Sequence, residues 1–127
     1  MTKKNMFRIG AVLMVCVMML GSFSFAATET HAGATGYVTF ACSVGVTSSS
    51  ASTSCTNGAA YCYVDLTTSY VLDTDQYGNY VYEDPLSDSD QDYGVATASV
   101  SFPFALYVSS HSNHSSVGCS GSLDEEA

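Results

Sequence analysis

A stretch of twelve residues in the middle of the chain has acidic side chains at the spacing of a calcium-binding loop. Asp73, Asp75 and Asp84 stand at its positions 1, 3 and 12, and Gly78 stands at position 6. Carboxylates two residues apart converge on one cation when the backbone curls around it, and a glycine permits the sharp turn. This spacing predicts a calcium site.

A second acidic run, over residues 88–92, has an aspartate at every other position. If both runs lie at one end of the fold, their carboxylates converge on a cation. Two departures from the calcium-loop pattern, Tyr77 at position 5 and the short Asp84 at position 12, favour the simpler interpretation of solvated acidic loops. The predicted ligands, with calcium as the cofactor, are Asp73, Asp75, Asp84, Asp88, Asp90 and Asp92.

The cysteines form a second group of residues with their own chemistry. Cys16 lies in an apolar N-terminal run, which leaves Cys42, Cys55, Cys62 and Cys119 in the rest of the chain. An even number of cysteines in an exported chain predicts disulfides, here two, each stabilising the fold by about 2–4 kcal/mol. Strand parity suits Cys42–Cys62 with Cys55–Cys119. The pattern Cys55–Cys62 with Cys42–Cys119 fits the sequence equally well.

The side chains that serve in catalysis form no recognisable motif. The Ser-rich residues 109–117 contain His111 and His114, which we expect to be exposed surface histidines rather than metal ligands. Residues 118–121, Gly-Cys-Ser-Gly, do not match the G-x-S-x-G turn of serine hydrolases. We therefore expect no enzymatic activity, and an enzyme is the least favoured of three function classes.

Tyrosines lie near the acidic residues in the sequence, at positions 77, 80, 82 and 93. A surface of aromatic rings and carboxylates suits a glycan or a peptide, which it binds through stacking and hydrogen bonds. The simpler interpretation is that tyrosine forms strands well and that its ring is half buried. The predicted partner is an extracellular protein or glycan.

The N-terminus has the order of a secretory signal peptide. Three basic residues come first, an apolar run follows over 9–20, and Ser24 and Ala26 provide the small side chains that signal peptidase requires. The apolar run is shorter than the roughly 20 residues of a membrane-spanning helix. We predict a signal peptide over residues 1–26, a flexible leader over 27–35, and a secreted, extracellular protein.

Removal of residues 1–26 changes the charge balance of the chain. The whole chain has three Lys and Arg against twelve Asp and Glu, and all three basic residues lie within the predicted signal peptide. The remainder has no Lys or Arg with which to neutralise phosphate groups, so nucleic acid and anionic membranes are excluded as partners of the mature form. Repulsion among the acids keeps the chain soluble but destabilises its compact state.

Alternating hydrophobic residues predict that strands position these groups. Residues 38–46 and 60–66 alternate with period two, and Asn57-Gly58 between them is a tight-turn signal. No segment after residue 26 has helical periodicity. Further strands are expected over 79–83, 94–104, 106–108 and 117–119, with 47–54 as a loop or polar edge strand and 84–92 as an acidic loop.

Short strands separated by turns predict an all-β fold, a small antiparallel β-sandwich or barrel-like domain over residues 36–120, followed by an acidic tail at 121–127. The Ser- and His-rich residues 109–117 resemble part of the lactococcin-like secreted bacteriocins, and this resemblance assigns no residue role. The leading prediction is a secreted, acidic binding or structural module stabilised by disulfides, with calcium as its candidate cofactor. The alternative is a bacteriocin- or toxin-like protein that acts on a receptor.

Overall fold

A computed structural model describes residues 24–127, and their regular secondary structure consists of nine strands. The strands are β1 (Ser24–Ala32), β2 (Tyr37–Gly45), β3 (Ser48–Cys55), β4 (Tyr61–Thr74), β5 (Tyr80–Tyr82), β6 (Leu86–Tyr93), β7 (Val95–Ser101), β8 (Tyr107–Ser116) and β9 (Cys119–Glu126). This part of the chain has no helix that is long and apolar enough to cross a membrane. Residues 1–23, which carry most of the predicted signal peptide, lie outside the described residues.

The strands form two antiparallel sheets. The first sheet has the strand order β1-β2-β3-β7. In the second sheet β8 pairs with one edge of β4, and β9 pairs with β8. On the other edge of β4, β6 pairs with its first half and β5 pairs with its end. Every strand pair in residues 24–127 is antiparallel, so the predicted all-β class is confirmed.

The alternating residues of β2 and β4 explain why the two sheets pack face to face. Every second residue of β2 from Val38 to Val44 is buried, and so is every second residue of β4 from Cys62 to Thr68. Residues of both sheets share one core, in which Phe40 is the largest fully buried side chain. A smaller cluster at one end of the core contains Val44, Phe102, Ala105 and Val108.

The chain passes between the two sheets at two tight turns, and each turn contains residues that favour a turn conformation. The predicted turn at Asn57-Gly58 is confirmed, because the Asn57 carbonyl accepts a hydrogen bond from the Ala60 N–H at 3.0 Å. Gly94, between β6 and β7, has a φ of 81°. Its N–H donates to the Ala60 carbonyl, and its own carbonyl accepts from the Cys55 N–H. Glycine adopts this left-handed conformation without strain, which lets the chain pass from one sheet to the other.

Polar segments that the sequence predicts to be loops or tails are strands in the structure. The expected flexible leader over 27–35 is mostly β1, which pairs with β2 along all nine of its residues. The expected acidic loop over 84–92 is mainly β6, and the acidic tail over 121–127 is mostly β9. Residues 48–55 form β3, which lies inside the first sheet rather than at its edge. Pairing with a neighbouring strand decides these conformations, because strand preference depends on context more than on residue type.

The strand β1, one of the two outer strands of the first sheet, is protected by charged side chains. Glu29 on β1 lies directly opposite Phe40, so both side chains point to the same, inward side of the sheet. The His31 Nε2 atom lies 3.2 Å from the Glu29 carboxylate, and the His31 ring lies 5.1 Å from that of Phe40. Inward-pointing charges on an edge strand oppose the pairing of a further strand with that edge.

Candidate functional site

The predicted calcium loop is the hairpin between β4 and β5, and its carboxylates bond to its own backbone. The Asp75 Oδ1 atom accepts hydrogen bonds from the N–H groups of Asn79 and Tyr77, at 2.9 and 2.8 Å. These bonds, that from Asn79 foremost, lower the pKa of the Asp75 carboxyl group. The Asp73 carboxylate accepts from the Thr74 N–H at 2.7 Å. Both carboxylates therefore stabilise the turn itself.

The aspartates of the second acidic run lie on β6 and fasten the two sheets together. The Asp88 carboxylate accepts a hydrogen bond from the Ser99 N–H at 2.9 Å, and the Asp90 carboxylate accepts one from the Thr97 N–H at 3.0 Å. Ser99 and Thr97 belong to β7, which is the outer strand of the first sheet on the side opposite to β1. We call these two bonds the carboxylate clasp. Asp92 accepts instead from the N–H of the residue after it.

The structure does not bring the six predicted calcium ligands together. Among residues 24–127 no group of three or more His, Cys, Asp or Glu side chains is placed to hold a metal ion. Asp84 is exposed beyond β5, while the other five carboxylates accept backbone N–H bonds in the hairpin or along β6. The expected convergence fails because residues 88–92 extend along a strand instead of curling in a loop.

The four cysteines predicted to form two disulfides are free in the structure. Cys42 and Cys62 are buried in the core, whereas Cys55 and Cys119 are partly exposed. The thiol of Cys62 donates to the Ser116 hydroxyl at 3.4 Å, and that of Cys119 donates to the Ala32 carbonyl at 3.7 Å. The thiols therefore have polar partners other than one another.

Strand register separates Cys42 from the other cysteines. Cys42 lies beside Ser112 across the core, whereas Cys62 and Cys119 both lie directly opposite Ser116. Four residues along a strand correspond to about 13 Å, and the Cα atoms of a disulfide lie about 4.4–6.8 Å apart. Cys55 is likewise opposite Val38, four residues from Cys42 along β2. Both predicted patterns require a partner for Cys42, so neither fits this register.

The burial of one histidine is the main feature of this region that the sequence did not predict. His114, expected at the surface, is 2% exposed and points into the core from β8. Its Nδ1 atom lies 2.8 Å from the Thr53 hydroxyl, and its Nε2 atom lies 2.7 Å from the Ser112 hydroxyl. Its ring stacks on Phe40 with centroids 4.9 Å apart. The expectation for His111, which is exposed, is confirmed.

The hydrogen bonds around His114 define its neutral form. The Thr53 hydroxyl donates to the Tyr63 carbonyl at 2.7 Å, so it accepts a hydrogen bond from the Nδ1–H group of His114. Nε2 then accepts from the Ser112 hydroxyl. Burial lowers the pKa of His114, because the charged imidazolium loses its hydration.

The Ser112–His114 contact has the atoms of a nucleophile and its base, but it is sealed from solvent. Ser112 and Thr53 are fully buried, and His114 is nearly so. A nucleophile must reach its substrate, so this arrangement holds the core together and does not form an open catalytic site. The alternation of Ser110, Ser112, His114 and Ser116 along β8 is the one sequence signal that indicates a buried polar row.

The outer side of the second sheet, away from the core, is built in rows of side chains. Directly opposite residues of neighbouring strands share a face, so the register identifies the members of each row. We call this surface the outer face, and it consists of alternate residues over 61–71, 87–93, 107–115 and 120–126. One row contains Gln91, Tyr63, Ser115 and Ser120, and the next contains Ser89, Asp65, Asn113 and Ser122.

Aromatic rings lie at both ends of the outer face. At one end the rings of Tyr61 and Tyr93 meet edge to face with centroids 5.3 Å apart. At the other end the Tyr107 ring stacks on Tyr80 at 5.6 Å and meets Tyr82 edge-on at 6.3 Å. Tyr107 is partly buried, and the other four side chains are 48–64% exposed. We call the two groups the Tyr61 cluster and the Tyr107 cluster.

The rows between the clusters are polar and include one charged pair. The His111 Nδ1 atom lies 2.6 Å from the Asp124 carboxylate, and its Nε2 atom lies 3.3 Å from the Asn113 side-chain oxygen. The bond to Asp124 raises the pKa of His111, because both ring nitrogens of the protonated form donate to oxygen atoms. The middle of the outer face is therefore suited to hydrogen bonding.

An open groove of about 590 Å³ adjoins the Tyr61 cluster. Its walls are Tyr61, Tyr63, Gln91 and residues 115–120. A smaller depression of about 270 Å³ on the first sheet is lined mainly by Ala, Ser and Thr. Only the larger one combines aromatic rings with an amide and hydroxyl groups, as ligand-binding surfaces commonly do.

Comparisons of this chain with protein-family models, with curated proteins and with solved structures find no match. The proposals below therefore rest on the chemistry and geometry of this chain alone.

Proposed function

We propose that the protein is an exported binding module and that its extracellular partner, a protein or a glycan, binds to the outer face. The observation that carries the proposal is the presence of two exposed tyrosine clusters at opposite ends of one polar sheet surface. Tyrosine presents a large apolar ring and a hydroxyl group together, and it is enriched where proteins bind their partners. Rings that already contact one another also lose little freedom on binding.

Export is part of the proposal and rests on the sequence. Residues 1–26 have the basic, apolar and small-residue order of a signal peptide. Cleavage after Ala26 falls within β1 and leaves residues 27–32 paired with β2. The outer face lies wholly on the other sheet, so cleavage at this point leaves it complete.

Charge narrows the class of partner. After residue 8 the chain has no Lys or Arg, while all twelve acidic residues lie beyond residue 28. Phosphate-rich partners need cationic side chains for binding, so nucleic acid and anionic membranes are poor candidates. A catalytic role is also disfavoured, because the Ser112–His114 pair is sealed within the core.

The test uses the full chain, expressed in a secreting host and recovered outside the cell. The wild-type protein and the double variant Tyr80→Ser/Tyr82→Ser are screened against glycan and peptide arrays. Tyr37→Ser is the matched control, because Tyr37 is 61% exposed but lies on the first sheet. Circular dichroism first establishes that all three proteins have the same fold.

We expect array signals that the double variant loses and the control variant keeps. Loss of two exposed ring contacts should weaken binding about tenfold. Signals that survive in the double variant, or that fall equally with Tyr37→Ser, would show that the outer face is not the binding surface.

A further inference from the structure

We infer that the occupant of the outer face is an extended, positively charged peptide segment whose Arg or Lys side chains reach the tyrosine clusters. This inference rests on the proposed function and names the class of partner that the same surface accepts. Three independent features support it: the charge of the whole molecule, the carboxylates beside the rings, and the spacing of the rows.

The charge of the molecule has one sign. Residues 24–127 contain all twelve Asp and Glu of the chain and no Lys or Arg, so a protonated histidine is the only positive side chain. A field of one sign draws oppositely charged ligands toward the surface and repels anions. A cationic segment therefore complements this protein, whereas a neutral chain gains nothing from the field.

The outer face places carboxylates close to aromatic rings. Asp65, Asp124 and Glu126 all belong to it, and the Asp124 side chain is 78% exposed. At one end of the face, burial and the neighbouring Glu126 carboxylate raise the pKa of Tyr107. A guanidinium group can lie over a tyrosine ring and donate to a neighbouring carboxylate, so that both contacts act on the same cation.

The rows of the outer face have the period of an extended peptide. Successive rows are two residues apart along β4, which corresponds to about 6.7 Å, and Tyr61 and Val71 are separated by about 33 Å. Side chains on one side of an extended peptide repeat at the same interval. A peptide of roughly eleven residues therefore reaches from one cluster to the other with alternate side chains on successive rows.

Val71 shows that the Tyr107 cluster is a fixed platform. It lies on the outer face, opposite both Tyr82 and Tyr107, and yet it is fully buried. Directly opposite side chains on one face of a sheet pack together, so Val71 holds the two rings in place before a partner arrives. Their outer surfaces remain available, since Tyr82 is 57% exposed.

The experiment measures binding of fluorescent peptides to the full chain recovered from a secreting host. The probe alternates Arg and Ser over roughly eleven residues, and matched peptides replace Arg by Gln or by Glu. Binding is followed by fluorescence anisotropy at about 50 mM and about 150 mM salt, since screening weakens attraction between exposed charges. Neutral oligosaccharides compete in a parallel series.

Variants separate the outer face from the general charge of the molecule. Tyr80→Ser/Tyr82→Ser removes rings, and Asp124→Asn removes an exposed carboxylate of the outer face. The controls are Tyr37→Ser and Glu29→Gln, which make the same changes on the first sheet. Thermal melts establish that each variant is folded.

We expect the Arg peptide to bind at least tenfold more tightly than the Gln and Glu peptides and to weaken in both outer-face variants but in neither control. Equal weakening by Glu29→Gln and Asp124→Asn would overturn the inference, because it would reduce the interaction to unspecific charge attraction. Ring-dependent binding of a neutral oligosaccharide without binding of the Arg peptide would also overturn it and would leave the proposed function intact. Absence of binding to the outer face in every series would overturn both.

Discussion

His114 illustrates how a single buried residue links the stability of this protein to pH. Its pKa in the folded protein lies below the ordinary value of 6.5 because burial penalises the charged ring. The unfolded chain therefore takes up a proton at a higher pH than the folded protein does. Stability is lost as the pH falls from about 6.5 through the lowered pKa of His114. His111 has the opposite effect, since its raised pKa adds stability that is lost as the pH rises above its folded value.

Replacement of His114 should remove this part of the pH dependence. We expect His114→Gln to lower the free energy of unfolding by about 1–3 kcal/mol near pH 7.5, because the Ser112 hydroxyl loses its partner. The difference between wild type and variant should shrink toward about pH 5, where the wild type bears the cost of protonating His114. Urea denaturation of both proteins at the two pH values measures the difference in the free energy of unfolding. The contribution of His111 is the same in both proteins and therefore cancels. A constant difference would contradict the buried, neutral form.

Cys42 provides a second prediction at the scale of one residue. The strand register, together with the contact between Cys42 and Ser112, places Cys42 four residues, or about 13 Å along a strand, from the level of the other three cysteines. We expect Cys42 to be a free thiol in the exported protein, and to react with an alkylating agent only after unfolding because it is 1% exposed. Peptide mapping by mass spectrometry after alkylation, before and after denaturation, measures both properties. A peptide in which Cys42 is disulfide-linked to Cys55, Cys62 or Cys119 would show that the register is wrong.

Among the strands, β6 and β7 depend on the carboxylate clasp. Asp88 and Asp90 lie directly opposite Leu66 and Val64 on β4, so their side chains point to the side of the second sheet that faces the core. There their carboxylates accept N–H groups that the outer edge of the first sheet presents. The clasp therefore satisfies backbone donors and closes the side of the fold on which β6 and β7 meet.

Substitutions at Asp88 should separate hydrogen bonding from charge. Asp88→Ala removes the acceptor, and we expect it to destabilise the fold by about 1 kcal/mol. Asp88→Asn keeps a side-chain oxygen that can accept from the Ser99 N–H, so its effect should be smaller. Thermal melts measure the order of the variants, with Asp84→Ala as an exposed control that should change stability by less than about 0.5 kcal/mol. An Asp88→Ala protein as stable as the control would show that the clasp does not contribute to folding.

The strands also show which parts of the fold are encoded locally. The alternation of residues 38–46 and 60–66 and the Asn57-Gly58 turn predict β2, β4 and their connection, because hydrophobic period and turn chemistry are properties of short segments. The polar strands β1, β3, β6 and β9 could not be predicted in this way, since their conformation comes from pairing with distant strands. The alternation of buried residues predicts that Cys42 and Cys62 point into the core. It does not predict how far apart they lie along the direction of the strands. The sequence singles out the tyrosines at 77, 80, 82 and 93 but favours half-buried rings. Their exposure, and the grouping of three of them with Tyr61 and Tyr107 on one face, depend on register.

The whole molecule carries many acidic side chains and few positively charged groups that could neutralise them. Beyond the predicted signal peptide, the ion pairs in the described residues involve only His31 and His111 as cations, and both are at the surface. Repulsion among the carboxylates therefore acts against the compact state throughout the pH range in which they are ionised. The Asp75 turn and the clasp reduce this cost locally by supplying backbone N–H donors to the carboxylates.

Screening of this repulsion should stabilise the protein without a specific cation. The Debye length falls from about 30 Å at 0.01 M to about 10 Å at 0.1 M ionic strength, so added salt weakens the repulsion between distant acids. We expect the melting temperature to rise with sodium chloride, and calcium at matched ionic strength to have the same effect, because the carboxylates of the hairpin and of β6 already bond to backbone N–H groups. Melts in sodium chloride, in calcium chloride and in EDTA measure the difference. A clearly higher melting temperature in calcium would mean that the acidic residues rearrange to form a cation site. Asp75→Asn should then abolish the increase, whereas Glu83→Gln, at a partly exposed position outside the predicted ligands, should not.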